Sequence, residues 1–271
     1  MNLIGIEMSH GFGDAMFSIP LIEALCARDG CKAVIASKQR CADAYYGVPC
    51  IQSIEHTPDM YHGERILRSK YPIKAFYQIT PQAYFMDFKA SYPDHSLVAT
   101  AMAIGRKYGV EIDPQPKVYL SPIETQAAEQ YFKKFKGEKI IAIESEHFSG
   151  QSWSCGADLE RVIIKHPQHF FLWLSLREPP FTHPNLHHIK HDLDRRSCIG
   201  LLKHVDLFIN VGSGFFCASL SKTIQPKESW MLWRDDVYKY KHSITMAGWI
   251  PNAHWFDDRT QWSQFIEKTI I

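Results

Sequence analysis

Two passages constrain this chain most: "LIGIEMSHGFGDAMFSIPLIEAL" at residues 3–25 and "DLFINVGSGFFCASL" at 206–220. Each runs from an apolar, strand-like stretch through a glycine-rich loop into an apolar, helix-like stretch. Strands that stay apolar at nearly every position are covered on both faces, which is the condition of a parallel sheet flanked by helices. The first passage, read as a strand over 3–7 and a helix over 15–28, leads into a second strand over 32–37 and closes a βαβ unit. A crossover of this kind is right-handed almost without exception.

The pattern restarts after residue 139: strand 139–144, helix 157–165, strand 169–176, strand 187–190, helix 197–204, strand 206–212, a helix from 214 and strand 228–233. Two αβ halves in series follow, an α/β chain of two Rossmann-like αβα domains facing an interdomain cleft. The expected borders are an N-terminal Rossmann-like domain over 1–120, an interdomain helix over 121–137 opened by Ser121-Pro122, a C-terminal Rossmann-like domain over 138–256, and a closing helix over 257–271 that packs back on the first domain. Between 40 and 95 only short strands at 51–55 and 75–78 are legible, followed by an amphipathic helix over 95–108 that Gly109 stops.

Composition narrows the function classes. With 271 residues and 45% hydrophobic content the chain can fill two cores. Thirty basic against 29 acidic residues leave a net charge of +1, so no global field draws it to nucleic acid or an anionic membrane. The opening MNLIGIEMSHG lacks the basic and long apolar regions of a secretory signal, and no apolar run reaches a membrane span, which gives the expectation of a cytoplasmic protein. Seven cysteines without a CxxC pair argue for reduced thiols rather than zinc or a disulfide framework. No HExxH or strand-terminal DxD motif is present, so neither metal nor cofactor is expected.

Ligands of open parallel sheets bind beyond the carboxyl ends of the strands. Four loops lie there: SHGFGD (9–14), SEHFSGQSW (145–153), SLREPP (175–180) and NVGSGFF (210–216). In the first, Gly11 and Gly13 flank the helix start with His10. Asp14 serves either as a cap of its own helix or as a base. In the last, the amides of Gly212, Ser213, Gly214 and Phe215 offer donors to an anion. Arg177 offers a cation for the same charge, unless it is spent on an ion pair with Glu178 or Asp192. Ser213 in GSG lacks the full GxSxG elbow of a serine hydrolase.

The stretch "GFGDAMFSIPLIEAL", through Gly13, Asp14, Pro20 and Leu25, resembles the N-terminal motif of the heptosyltransferase-like glycosyltransferases. "SGQSW" is similar to a loop in which that family places a lysine two residues before tryptophan; Gln151 stands at the lysine position and Trp153 in register. "NVGSGFFCASL" resembles the family's Asp-Thr-Gly-x-x-His donor motif, with Ser213-Gly214 for Thr-Gly, Gly212 for the aspartate and Cys217 for the histidine. A weaker similarity runs to fucosyltransferases. The resemblance implies a GT-B-like fold and transfer of a sugar from a nucleotide-sugar donor to an acceptor hydroxyl, inverting and metal-independent, with Asp14 as general base. It further implies donor contacts from Ser149, Gln151, Arg177 and Gly212 to Phe215, and an acceptor that is a glycan or another hydroxyl-bearing molecule, modified DNA included. The alternative is a nucleotide- or nucleotide-sugar-binding protein of the same fold without turnover.

Overall fold

A computed structural model describes residues 2–8, 11–58, 62–79, 96–145, 155–190, 192–232, 248–250, 252–256 and 258–269. The chain divides into two compact units, Met1–Tyr119 and Leu120–Ile271.

In the first unit a four-stranded sheet has the order β3-β2-β1-β4, with β1 Leu3–Met8, β2 Lys32–Ser37, β3 Ile51–His56 and β4 Ile73–Gln78. Every pairing is parallel. Parallel neighbours need crossovers, and the helices α1 (Phe12–Asp29) and α3 (Gly63–Lys70) supply them. The short α2 (Gln39–Ala42) and the longer α4 (Ser96–Lys107) complete the layers. The β1 residues are all buried, as the continuous apolar reading requires. Helix α1 presses Met16, Ile19, Ile22 and Leu25 inward. It stops at Gly30, whose φ of 56° is left-handed and costs glycine little, and the Cys31 N–H reaches back to the Cys26 carbonyl at 3.0 Å.

Helix α3 was not anticipated. Its GERILRSK sequence buries only Gly63 and Leu67, too narrow a stripe for periodicity to reveal. Its start is built around β1: the Gly63 N–H donates to the buried Glu7 carboxylate at 2.8 Å.

The second unit holds a six-stranded, wholly parallel sheet in the order β10-β9-β8-β5-β6-β7. Its strands are β5 Ile140–Ile143, β6 Phe170–Trp173, β7 Leu186–His188, β8 Leu207–Asn210, β9 Ser229–Leu232 and β10 Ala253–Phe256. Starting in the middle at β5, the chain winds outward through β6 and β7. It then returns to add β8, β9 and β10 on the other side. This is the doubly wound arrangement, and its direction reverses between β5 and β8. Strand β10 lies beyond strand 228–233, the last strand that the sequence pattern predicts, and adds to the sheet edge by pairing with β9.

Helix α5 (Pro122–Phe132) opens with Ser121 and Glu124 capping each other, Ser121 N–H to Glu124 Oε2 at 2.6 Å and Glu124 N–H to Ser121 Oγ at 3.2 Å. It packs on α7 (Arg195–Leu201), where Arg196 forks onto Glu124 at 2.5 and 3.0 Å. A Cβ on Gly200 would meet the Ala128 Cβ at 3.0 Å, so the small residue sets the closeness of the two helices. Helix α6 (Gly156–Lys165), α8 (Gly214–Ser219) and α9 (Arg259–Thr269) complete the unit. Trp173, Trp230 and Trp262 fill its core, and Trp262 and Ile266 anchor the closing helix there.

Candidate functional site

The two glycine-rich loops start their helices differently. In the first unit α1 begins at Phe12, three residues before the expected 15, so Gly13 and Asp14 belong to its first turn. Gly11 is the N-cap, and its N–H donates to Asp14 Oδ2 at 2.8 Å. Asp14 thus folds back onto its own helix, the geometry of the capping reading. A carboxylate in the first turn both satisfies an orphan N–H and meets the positive end of the helix dipole. Gly11 is what permits it, because a Cβ there would lie 2.9 Å from the same Asp14 oxygen. Behind this turn the Ser18 hydroxyl donates to the Ala15 carbonyl at 2.7 Å and meets the buried Tyr45 hydroxyl at 3.1 Å. Burial and the charge of Asp14 are among the causes that raise the Tyr45 phenol, which stays neutral. His10 lies outside the described residues.

In the second unit β8 delivers the chain to the point where the sheet changes direction. Asn210, fully buried, closes β8 and braces the loop: its amide donates to the Ser229 hydroxyl at 3.1 Å and the Trp230 carbonyl at 3.3 Å, and its carbonyl oxygen accepts from Gly212 N–H at 3.4 Å. Gly212 has a φ of 72°, the left-handed region that favours glycine. Ser213 is the N-cap of α8, its hydroxyl oxygen accepting the N–H groups of Phe215 at 3.1 Å and Phe216 at 3.4 Å. The hydroxyl proton goes to Glu144 Oε2. Several of the groups expected to face an anion, the Gly212 and Phe215 amides and the Ser213 hydroxyl, are therefore engaged within the loop.

Glu144 follows β5 directly, so β5 and β8 bring it and Ser213 together across the switch point. Only 7% of Glu144 is exposed. Burial pushes its carboxyl well above the usual range, and no cation among the described residues offsets this. Beside it the Ser145 N–H donates to the Ser175 hydroxyl at 2.8 Å, and the two hydroxyls lie 3.2 Å apart.

Arg177 lies beyond the end of β6 and is exposed, because β6 ends at Trp173 rather than at residue 176. Its carbonyl accepts the Trp173 indole N–H at 2.9 Å, which pins the turn. Asp192 is occupied elsewhere, by His187 Nε2 at 2.7 Å and by the Tyr131 hydroxyl. Ser149, Gln151 and Trp153 lie outside the described residues. Among the described residues no group of three or more His, Cys, Asp or Glu is placed to hold a metal ion, and no helix is long and apolar enough to cross a membrane.

Sequence reasoning missed Glu144 and Asn210. A signal was present: the first strand of each unit carries Ile-x-Ile-Glu near its carboxyl end, "IGIE" at 4–7 with Glu7 one residue before the end of β1, and "IAIE" at 141–144 with Glu144 just after β5. An acid closing an apolar strand at the ligand end of a sheet is a marker worth reading. The two acids differ in what surrounds them. Glu7 binds the Gly63 N–H and, at 3.3 Å, the Gln78 amide, whereas the Glu144 side chain meets only the Ser213 hydroxyl among the described residues.

No protein-family model and no curated protein sequence matches the chain. Solved structures do match it. A glycosyl transferase family 9 protein from Veillonella parvula DSM 2008 aligns with 100% of this chain and 90% of its own, at a TM-score of 0.68 and 10% identity. The E. coli ADP-heptose LPS heptosyltransferase II aligns with 94% of this chain and 90% of its own, at 0.63 and 13% identity. E. coli heptosyltransferase WaaC, solved with ADP, aligns with 98% and 97%, at 0.61 and 10% identity. Across both units, then, the chain has the α/β fold of the GT-B glycosyltransferases and is similar in structure to heptosyltransferases.

Proposed function

We propose that the chain is a glycosyltransferase that takes a sugar from a nucleotide-sugar donor and passes it to an acceptor hydroxyl. The observation that carries this reading is the second unit's switch point, where the Asn210-braced Gly212–Ser213–Gly214 loop and Glu144 meet at the ligand end of a doubly wound sheet. The full-length fold likeness to glycosyltransferases supports it, and the ADP held by one of those structures supports a nucleotide-linked donor. Arg177, Gly212, Ser213, Gly214 and Phe215, with Ser149 and Gln151, are the groups assigned to the donor.

In the first unit Asp14 is assigned as the base, and His10, Gly11 and Gly13 are assigned to the acceptor loop. The acceptor oxygen forms its bond to the anomeric carbon as the bond to the diphosphate breaks, and Asp14 takes the hydroxyl proton. The configuration inverts in a single displacement of this kind, without a metal. Seven free thiols suit a reducing, cytoplasmic setting. The second reading, a nucleotide- or nucleotide-sugar-binding protein without turnover, is favoured by one specific observation: the Asp14 carboxylate already serves its own helix.

The test is a thermal-shift screen with ADP, UDP, GDP and CMP, followed by transfer and hydrolysis assays with nucleotide sugars. A free ligand at about 100 times its Kd stabilises by about 2.7 kcal/mol, which a melting curve resolves. Absence of a shift with every nucleotide sinks both readings. Shifts with neither transfer nor hydrolysis leave the binding protein.

A further inference from the structure

Glu144 is the one group at the switch point whose chemistry the transfer mechanism above does not use. It is an acid buried to 7% exposure, and among the described residues it is held by a single neutral hydroxyl and has no cation beside it. Retaining such a group in ionised form is costly, so it persists as a neutral acid or it meets a partner that the empty protein lacks. The hydrogen bonds say where its proton sits. Ser213 has one hydroxyl proton and accepts two amide N–H groups, so that proton is directed to Glu144 Oε2. A neutral Glu144 therefore carries its own proton on Oε1. No described residue accepts a hydrogen bond from that oxygen, and Glu144 follows β5 at the point where the strand order reverses between β5 and β8, the end at which ligands of open α/β sheets bind.

We infer that Glu144 acts as a carboxylic acid in the donor site, its Oε1 hydroxyl donating a hydrogen bond to a diphosphate oxygen of the nucleotide sugar. The inference rests on the transferase reading and deepens it, giving the diphosphate a neutral donor buried at the sheet. A carboxylate in the same place would repel the ligand, so only the protonated protein binds it well. Glu7, the corresponding acid of the first unit, is excluded from such a role because the Gly63 and Gln78 amides already take its oxygens. Among the described residues the Cys155 thiol at the head of α6 is a titratable neighbour; burial first, and then the charge of Asp158, push it up against the opposing charge of Arg259, so it stays neutral. The flanking strands and α8 present Ser175, Asn210 and Ser213, which do not ionise.

The experiment is calorimetric titration of wild type and Glu144→Gln with ADP-, UDP- and GDP-glucose between about pH 5 and 9, a range in which a diester diphosphate does not titrate. The amide of glutamine mimics the neutral acid as a donor and cannot ionise. Wild-type affinity is expected to fall by about tenfold per pH unit above the Glu144 pKa, with uptake of about one proton on binding, while Glu144→Gln binds with nearly constant affinity. Coincident profiles overturn the inference and leave the transferase reading intact. So does a uniform loss of affinity in the variant. Failure of every nucleotide sugar to bind wild type at any pH overturns both. Should the variant not fold, wild type decides at the pH values where its affinity falls: there, buffers of different ionisation enthalpy give different apparent heats if Glu144 protonates on binding, and equal heats at those pH values refute it.

Discussion

Replacing Asp14 separates a cap from a base because the two roles differ in magnitude. The Gly11 N–H to Asp14 contact of 2.8 Å survives in Asp14→Asn, where the amide oxygen still accepts. What the variant loses is the charge at the helix N-terminus, worth about 0.3–1 kcal/mol. Asp14→Ala also loses the cap, at about 0.5–2 kcal/mol. For a unit of this size each kcal/mol shifts the melting temperature by about 2–8 °C. Melting therefore drops by a few degrees in Asn and somewhat more in Ala. Neither loss empties the folded state when total stability is about 5–15 kcal/mol. Loss of a general base, by contrast, slows transfer by about 10²–10⁴-fold, or roughly 2.7–5.5 kcal/mol of barrier. The assay is initial-rate transfer from the nucleotide sugar that binds, run beside thermal melts of the same preparations. If Asp14→Asn melts as calculated yet transfers within about threefold of wild type, Asp14 is a cap and nothing more.

Three further outcomes follow from contacts away from the reacting atoms. Gly63→Ala places a Cβ 2.6 Å from Glu7 Oε1 and 2.9 Å from the Ala36 Cβ, both on strands that cannot yield; denaturant unfolding should show a loss of about 1–3 kcal/mol. Gly212→Ala forces a side chain into a φ of 72°. Strain of about 1–2 kcal/mol and weaker nucleotide binding are expected by melting with and without ligand. In Glu124, burial raises the carboxyl, but the Arg196 fork and the Ser121 N–H outweigh it and hold the group below its usual 4.5. A depressed folded pKa gives stability that is present above the ordinary value and lost as pH falls through the folded one. Wild type should therefore melt higher than Glu124→Gln at neutral pH, and the gap should close in acid; a gap independent of pH would sink the assignment.

The strands and long helices of both units were legible because their signals are local. Uninterrupted apolar runs marked β1, β2, β5, β6 and β8 as doubly covered, and Gly109 and Ser121-Pro122 marked helix ends by their own stereochemistry. The elements that escaped reading, α3 and β10, are held by contacts distant in sequence. Gly63 begins α3 on the Glu7 carboxylate of β1, and β10 exists as an extension of β9. Arg177 was assigned to a strand end that lies closer to Trp173, since the indole N–H bond to the Arg177 carbonyl turns the chain early.

By itself, then, the sequence determined the fold class, two parallel α/β halves, and the positions of the glycine loops at their strand ends. Tertiary structure decided how those loops use their atoms. Whether Asp14 turns back to Gly11 or away from it depends on a rotamer that the residue order does not fix; the missing Cβ of Gly11 permits the inward one, and the Gly11 N–H receives it. Glu144 and Ser213 are neighbours only because the sheet reverses direction between β5 and β8, joining positions far apart in the chain. The charge state of a carboxyl is set by everything packed around it, and residue order alone does not specify that packing.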